Sequence, residues 1–281
     1  MSTFTDVKDG TIVSTEEKQC PYCGMMVVAY ANFCTNCGER IGSRKCPQCG
    51  NTVESNAKFC SECGTRLDGG AAAQPKRDTH QYVDLGLPSG TLWATCNVGA
   101  TNPEDAGDYF AWGETTPKST YSWDNYTYCR EGSSLKLTKY CNMSDYGYNG
   151  FTDSRTTLEK SDDAATANWG SDWCMPTQEQ FQELYDNCTT EWTTNYQGKG
   201  VAGRLFKSKR NDNTIFFPVA GVKGSDGKNS CVRSLGIYLS SSLNIDRPNT
   251  AHELYFDSSD VRSSGNVYRD GGFTVRPVRC R

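Results

Sequence analysis

The chain has 281 residues, with 29 Lys and Arg against 33 Asp and Glu, a formal net charge of −4. Because this near-balance provides no overall field that would hold a polyanion, the composition argues against general nucleic-acid binding. The longest apolar run, from Met25 to Ala31, falls well short of the ~18 residues that span a bilayer. The first residues lack the basic and apolar regions of a signal peptide. We therefore expect no membrane span and a cytoplasmic location.

Eight of the 15 cysteines lie near the start of the chain in four Cys-x-x-Cys pairs, namely Cys20 with Cys23, Cys34 with Cys37, Cys46 with Cys49, and Cys60 with Cys63. The second half of this segment repeats the first at an offset of 26 residues, with CPYCG matching CPQCG and ANFCTNCGERI matching AKFCSECGTRL. Two Cys-x-x-Cys turns together supply the four thiolates of a tetrahedral zinc site. Four thiolates leave no open coordination position, so the pattern predicts two structural Zn²⁺ ions. A set of disulfides is the alternative.

The residues around the cysteines fit the same interpretation. A glycine follows the second cysteine of every pair, where the bend needs a positive φ, at Gly24, Gly38, Gly50 and Gly64. Residues 1–79 carry nine basic and nine acidic side chains, and thiolate-bound zinc adds negative charge, so this surface does not suit phosphate. The apolar loop Met25–Val28 has no counterpart in the second half. It either packs against that half or docks on a partner.

This stretch resembles the double zinc-ribbon family over residues 18–68. The resemblance implies a small metal-stabilised module that serves as an interaction platform or a spacer. Residues 1–17 are expected to form a polar tail, and the small, polar residues 69–79 are expected to form a flexible linker.

Residues 80–281 are predicted to form a separate α+β domain. A capping box, Thr177 with Gln180, predicts a helix with Phe181, Leu184, Tyr185 and Cys188 on one face, and a shorter helix is expected over 162–168 with Ser161 as its cap. Short β-like runs are separated by Gly, Asn and Asp, and these runs cover 82–87, 91–98, 214–220, 237–241, 253–257 and 273–279.

The second domain resembles the major paralogous domain family known as FISUMP. The resemblance rests on YVDLGLPSGTLWATCNVGA, GDYFAWGET, WGSDWCMPTQEQFQEL, FFPVAG and GGFTVRPVR, which follow one another over roughly residues 81–279. That family is similar to the C-type-lectin fold in the version shared with formylglycine-generating enzymes. The resemblance implies a compact C-type-lectin-like scaffold with long loops exposed on one side.

The sequence motifs that would indicate a catalytic site are only weakly matched. Gly198–Gly203 spells G-x-G-x-x-G, but it follows the predicted helix and a polar loop, 189–197, so we interpret it as a turn. His80 and His252 are the only histidines and are expected at the linker edge and in a polar loop, which leaves few ways to form a catalytic triad. We expect no enzymatic activity.

The remaining cysteines are scattered, and we expect buried thiols at Cys96, Cys129, Cys141, Cys174, Cys188, Cys231 and Cys280. The oxidase relatives that the resemblance implies use a closely spaced cysteine pair to bind copper, whereas Cys231 and Cys280 are far apart in sequence. The tripeptides through which C-type lectins bind calcium and sugar are absent. The nearest run, Asp246–Asn249, lacks their carboxylate pattern, so calcium-dependent sugar binding is not supported.

The segment 234–271 is rich in Ser, Asn, Asp, Tyr and Arg, the composition of adaptable binding surfaces. The arrangement also resembles variable proteins of diversity-generating retroelements, which carry mutable positions near the C-terminus of a C-type-lectin fold. We therefore predict a variable loop face that binds a protein ligand, with contacts from Ile237, Leu239, Asn244, Asp246, Arg247, Asn249, His252, Tyr255, Arg262, Ser263, Asn266, Tyr268 and Asp270. The alternatives are an enzyme on the formylglycine-generating fold and an adaptor that works through the zinc ribbons.

Overall fold

The computed structural model describes residues 17–20, 23–28, 31, 33–37, 43–46, 49–54, 57, 59–62, 67 and 80–280. The chain divides into two compact units, Met1–Arg77 and Asp78–Arg281. The predicted linker, 69–79, and all but the last residue of the predicted tail lie outside the described residues. No helix in the described ranges is long and apolar enough to cross a membrane.

Two short antiparallel hairpins form the described framework of the first unit. Strand β1 (Glu17–Gln19) pairs with β2 (Met26–Val28), and β3 (Ser43–Lys45) pairs with β4 (Thr52–Glu54). Among the described residues around each hairpin, only a few apolar side chains are buried, such as Val27 in the first. Cores of this size cannot offset the entropy of ordering the chain, so the fold of this unit depends on its metal sites.

The described part of the second unit is mostly β, with two short α-helices. The helices are α1 (Ala164–Trp169) and α2 (Gln178–Asn187). The strands are β5 (Tyr82–Asp84), β6 (Leu92–Ala94), β7 (Trp173–Cys174), β8 (Cys188–Thr193), β9 (Gly203–Ser208), β10 (Thr214–Pro218), β11 (Val222–Lys223), β12 (Asn229–Ser230), β13 (Gly236–Leu243), β14 (Thr250–Phe256), β15 (Val261–Tyr268) and β16 (Val278–Arg279).

These strands form four small sheets. The strand orders are β5-β6-β16-β7, β10-β9-β8, β13-β14-β15 and the hairpin β11-β12. One core cluster packs Trp93, Phe181 and Phe217 with the face of β13–β15 that carries Tyr238 and Leu254. A second cluster lies on the opposite face of the same sheet and includes Trp112 and Leu239. The sheet β13–β15 is therefore packed on both faces.

The capping box predicted for α2 is confirmed. The Thr177 hydroxyl accepts a hydrogen bond from the Gln180 backbone N–H at 3.3 Å, and the Gln180 side chain accepts one from the Thr177 N–H at 2.9 Å. Phe181 and Leu184 are buried as expected, whereas Tyr185 is 41% exposed. The predicted cap of α1 is wrong, because the Asp163 side chain, not Ser161, accepts from the first turn of the helix.

Several expectations about irregular segments are corrected. The predicted polar loop 189–197 begins with strand β8. The run predicted over 273–279 forms a strand only at Val278–Arg279. The β-like runs predicted over 237–241 and 253–257 belong to β13 and β14, but the segment 234–271 predicted as a loop face is mainly the three-stranded sheet β13–β15, and His252 lies in its central strand instead of a loop. The Ser and Asn content of these strands is typical of loops, which explains the wrong prediction.

Candidate metal centres and ligand-binding cavity

The thiols of the first Cys-rich cluster come together as a metal site. Cys20, Cys23, Cys34 and Cys37 place their sulfur atoms within 4.8 Å of one another. The sulfur atoms of Cys20 and Cys37 are 3.7 Å apart, and those of Cys23 and Cys34 are 3.5 Å apart. A tetrahedron with Zn–S bonds of ~2.3 Å has sulfur atoms ~3.8 Å apart, whereas a disulfide bond is only ~2.05 Å long. The spacing fits Zn²⁺ and does not fit disulfides.

The second cluster repeats this arrangement. Cys46, Cys49 and Cys60 are grouped in the same way, and the sulfur atoms of Cys49 and Cys60 are 3.6 Å apart. The fourth predicted ligand, Cys63, lies outside the described residues. The chain thus has two Cys-rich zinc-ribbon sites, consistent with two structural zinc ions.

The local backbone conformation and hydrogen bonds of these turns favour metal binding by the thiols. Gly24 and Gly50 have φ values of +74° and +72°, as predicted for the bend after each Cys-x-x-Cys pair; Gly38 and Gly64 are not among the described residues. Hydrogen bonds from the Asn36 side chain and then from the Met25 backbone lower the pKa of the Cys23 thiol to about 6, from an ordinary 9.0. A lowered pKa favours the thiolate, which is the form that binds zinc.

The predicted ligand residues of the second unit separate into three groups. Four of them are buried and have structural contacts. Ile237 and Leu239 belong to the core. Asn244 is held in hydrogen bonds at the β13–β14 turn, and the Ser263 hydroxyl donates to Gln182 of α2 at 2.6 Å. The expectation that Ile237 and Leu239 contact a ligand is therefore wrong, because their side chains face the protein interior.

Four other predicted residues, Arg247, Asn249, Asn266 and Tyr268, line one cavity of about 370 Å³. Its other lining residues are Tyr146 and Thr250, which sequence reasoning missed. Tyr146 comes from a loop about 100 residues earlier in the chain, and no local pattern marks it. Thr250 follows Asn249 directly and faces Tyr268 across the strand pair.

The cavity has an aromatic and apolar rim. Tyr268 is 59% exposed, and its ring meets Trp123 edge-on with centroids 6.4 Å apart. Ile245, at 51% exposure, lies in the β13–β14 turn, where its carbonyl accepts a hydrogen bond from the Asn142 side chain at 2.8 Å. This bond ties the loop that carries Tyr146 to the turn that carries Arg247.

The wall behind the cavity is fixed by a buried arginine that sequence reasoning also missed. The Arg269 guanidinium is fully buried and donates to the carbonyls of Pro248 at 2.9 Å and Tyr140 at 3.0 Å, and to the Tyr126 hydroxyl at 2.8 Å. Its backbone N–H donates to the carbonyl of Asn249 at 3.2 Å. The cavity is therefore attached to the framework through hydrogen bonds that are shielded from water.

The remaining predicted residues lie outside the cavity lining. Arg262 stacks over the Tyr255 ring at 4.2 Å, and the Tyr255 hydroxyl donates to Asp257. His252 is half-buried, and its Nδ1 has no hydrogen-bond partner among the described residues. Asp246 is exposed beside Arg247 in the turn, and burial raises the pKa of the Asp270 carboxyl.

Comparisons with known proteins bear on the first unit only. Residues 20–64 match the family model described as Double zinc ribbon. No curated protein and no solved structure matches the chain.

Proposed function

We propose that this protein is a non-enzymatic ligand-binding protein that presents the cavity and its rim to a protein ligand, with the zinc ribbons as a rigid interaction or spacer module. The observation that carries this proposal is that four residues selected from the sequence, Arg247, Asn249, Asn266 and Tyr268, line one cavity. The six lining residues include no carboxylate, imidazole or thiol that would serve acid–base or nucleophilic chemistry.

The proposal also covers the fold of the second unit, the diversification of its ligand face and the cellular location. The ordered FISUMP-like sequence blocks support a C-type-lectin-like fold for the second unit. The exposed Tyr, Arg and Asn residues around the cavity support a surface diversified by a retroelement. Thiolate zinc sites need a reducing compartment, which supports a cytoplasmic location.

Sequencing the 3′ end of the gene across a natural population tests the diversification. We expect substitutions at adenines in codons for exposed positions such as Arg247, Asn266 and Tyr268, beside a near-copy of the segment and a reverse transcriptase gene. Codons for the buried Ile237 and Leu239 are expected to stay constant, because changing them would disrupt the core. Substitutions that fall equally on buried and exposed codons, or a uniform 3′ end, would refute this origin.

Ligand binding itself is tested by comparing the proteins that the full chain and its variants capture from cell extracts. Tyr268→Ala removes the exposed aromatic of the rim and is expected to lose the captured protein. Tyr185→Ala is the matched control, because Tyr185 is also an exposed tyrosine but lies on α2. Equal capture by both variants would show that the cavity is not the binding site.

A second candidate function, an adaptor that binds through the ribbons, is favoured by one observation. Met25, Met26, Phe33 and Phe59 are between 44% and 58% exposed, and the two phenylalanines occupy equivalent positions in the two repeats. Replacing Phe33 and Phe59 by Ser in the full chain separates the two functions. Loss of capture in this variant, with Tyr268→Ala unaffected, would favour the adaptor.

A further inference from the structure

We infer that the cavity beside β15 binds a single carboxylate, carried by an acidic side chain of a peptide ligand. This inference rests on the proposed function and names the chemistry of its ligand. It follows from the charge of the cavity, from the orientation of its polar groups and from its size.

Arg247 is the only charged residue in the cavity lining. Its side chain is exposed and forms no ion pair with any residue that the structure describes, although Asp246 is its neighbour in the chain. A guanidinium presents paired N–H donors that match the two oxygens of a carboxylate. One positive charge balances one carboxylate, whereas a phosphate dianion would need a second cation.

The backbone fixes the direction in which the Asn266 amide points. The N–H of Asp246 is within 3.1 Å of the Asn244 side chain, and because a backbone N–H only donates, the atom of Asn244 that receives it must be the oxygen. The Asn244 nitrogen therefore donates to Asn266 at 3.1 Å, which requires the oxygen of Asn266 at that contact. The Asn266 NH₂ group is left as a donor that can serve the cavity.

The Thr250 hydroxyl is already used. It accepts from the same Asn244 nitrogen at 3.1 Å and donates to the carbonyl of Arg247 at 2.9 Å. Asn249 adds a further donor, because it is 9% exposed, lines the cavity and makes no side-chain hydrogen bond with the described residues. Because its amide is not committed to a partner within the described residues, its NH₂ group is free to donate to a ligand oxygen. The cavity therefore offers a guanidinium and two amide NH₂ groups, a donor set suited to an anion.

The cavity is small, at about 370 Å³, and both Tyr146 and Tyr268 line it. This space holds one acidic side chain together with a neighbouring apolar group, which the tyrosine rings would contact. The exposed Ile245 and Tyr268 of the rim provide the surface for the rest of the ligand.

The test is a titration of the ¹⁵N-labelled full chain with three probes, followed through the side-chain amide signals of Asn249 and Asn266. The probes are the capped tripeptide acetyl-Gly-Glu-Gly-amide, its neutral analogue acetyl-Gly-Gln-Gly-amide and inorganic phosphate. We expect saturable shifts with the Glu peptide and at least about tenfold weaker binding of the Gln peptide. Phosphate binding as tight as that of the Glu peptide would overturn the selectivity for a carboxylate.

Variants complete the test. Arg247→Gln is expected to weaken binding of the Glu peptide at least about tenfold. Arg262→Gln, which makes the same charge change at an exposed arginine outside the cavity lining, is expected to leave it unchanged. Asn249→Leu, of similar volume but without a donor, should also weaken binding while the rest of the spectrum shows an intact fold.

The failure of this inference is distinguishable from the failure of the proposed function. Equal binding by Arg247→Gln and Arg262→Gln, or no binding of the Glu peptide, would overturn the carboxylate site. If the carboxylate site were overturned but Tyr268→Ala still failed to capture the protein ligand, the proposed ligand face would remain supported and only its preference for a carboxylate would be wrong.

Discussion

Glu253 should make the stability of the second unit depend on pH. It lies on the central strand β14, opposite Leu239 of β13 and Gly265 of β15. The residue is 5% exposed, and its Oε2 has no hydrogen-bond partner among the described residues. Burial raises the pKa of this carboxyl to about 7 from an ordinary 4.5, against the opposing attraction of Arg262. The folded protein therefore retains a proton that the unfolded chain releases.

The sign and size of the effect follow from this pKa. Between about pH 4.5 and 7 the folded state binds one more proton than the unfolded state, so the free energy of unfolding falls as the pH rises. The contribution is fully present below about pH 4.5 and is lost above about pH 7. Because one pH unit corresponds to about 1.4 kcal/mol, the total is about 3 kcal/mol. Glu253→Gln, which keeps the shape of the protonated acid, should remove this dependence.

The assay is urea unfolding of the full chain at several pH values, followed by tryptophan fluorescence. All six tryptophans lie in the second unit, so the fluorescence signal reports on that unit. Glu253→Gln should be more stable than the unmodified chain above pH 7 and nearly equal to it at pH 4.5. Glu191→Gln, at an exposed position of β8, is the control for the charge change. A wild-type pH dependence equal to that of Glu253→Gln would refute the reasoning, since Glu253 would then ionise normally in the folded protein.

Three further predictions concern the metal sites, a helix cap and the buried arginine. Metal analysis of the purified chain should give about two zinc ions, and chelation should leave the tryptophan-detected unfolding midpoint unchanged; a folded first unit without metal would contradict the assignment. Thr177→Ala removes the capping box of α2 and should lower the free energy of unfolding by about 1 kcal/mol, measured in urea, and no change would show that packing alone holds this helix end. Arg269→Met leaves the carbonyls of Pro248 and Tyr140 without donors and should cost about 3 kcal/mol by the same measurement, because each buried carbonyl left unsatisfied costs ~1–3 kcal/mol. A loss below about 1 kcal/mol would mean that water replaces the guanidinium.

The features that sequence predicted best are those set by local spacing. Four Cys-x-x-Cys pairs in two repeats predict two zinc sites from spacing alone, and the pairing of Thr177 with Gln180 is also local. These signals needed no knowledge of the rest of the fold. Capping is harder to predict where two acceptors compete, and at α1 the cap is Asp163, two residues closer to the helix than the expected Ser161.

The sequence predicts a β-like run over 237–241 but not the burial of both faces of β13, because its serines resemble those of a polar loop. Ser240, Ser241 and Ser242 are buried between two packed faces, which removes the alternation of polar and apolar residues that identifies a strand. Their hydroxyls are satisfied by the backbone: Ser240 donates to the carbonyl of His252 at 2.8 Å, and Ser242 accepts from the N–H of Gln178 at 3.1 Å. Those partners come from other elements, so only the folded chain shows that these polar residues belong to the interior.

Long-range bonds of a similar kind bear on the proposal that the ligand face varies while the scaffold stays constant. Arg276 is buried without a carboxylate partner in the described chain and donates to Asn97 and to the carbonyls of Ala94 and Phe216. Arg269 likewise donates to a backbone carbonyl behind the cavity, that of Pro248. Because both arginines bind mainly backbone oxygens, which every residue carries, the side chains in front of them are not constrained by these contacts. Rim residues such as Tyr268 can then change with little cost to stability, which is the property that a diversified ligand face requires.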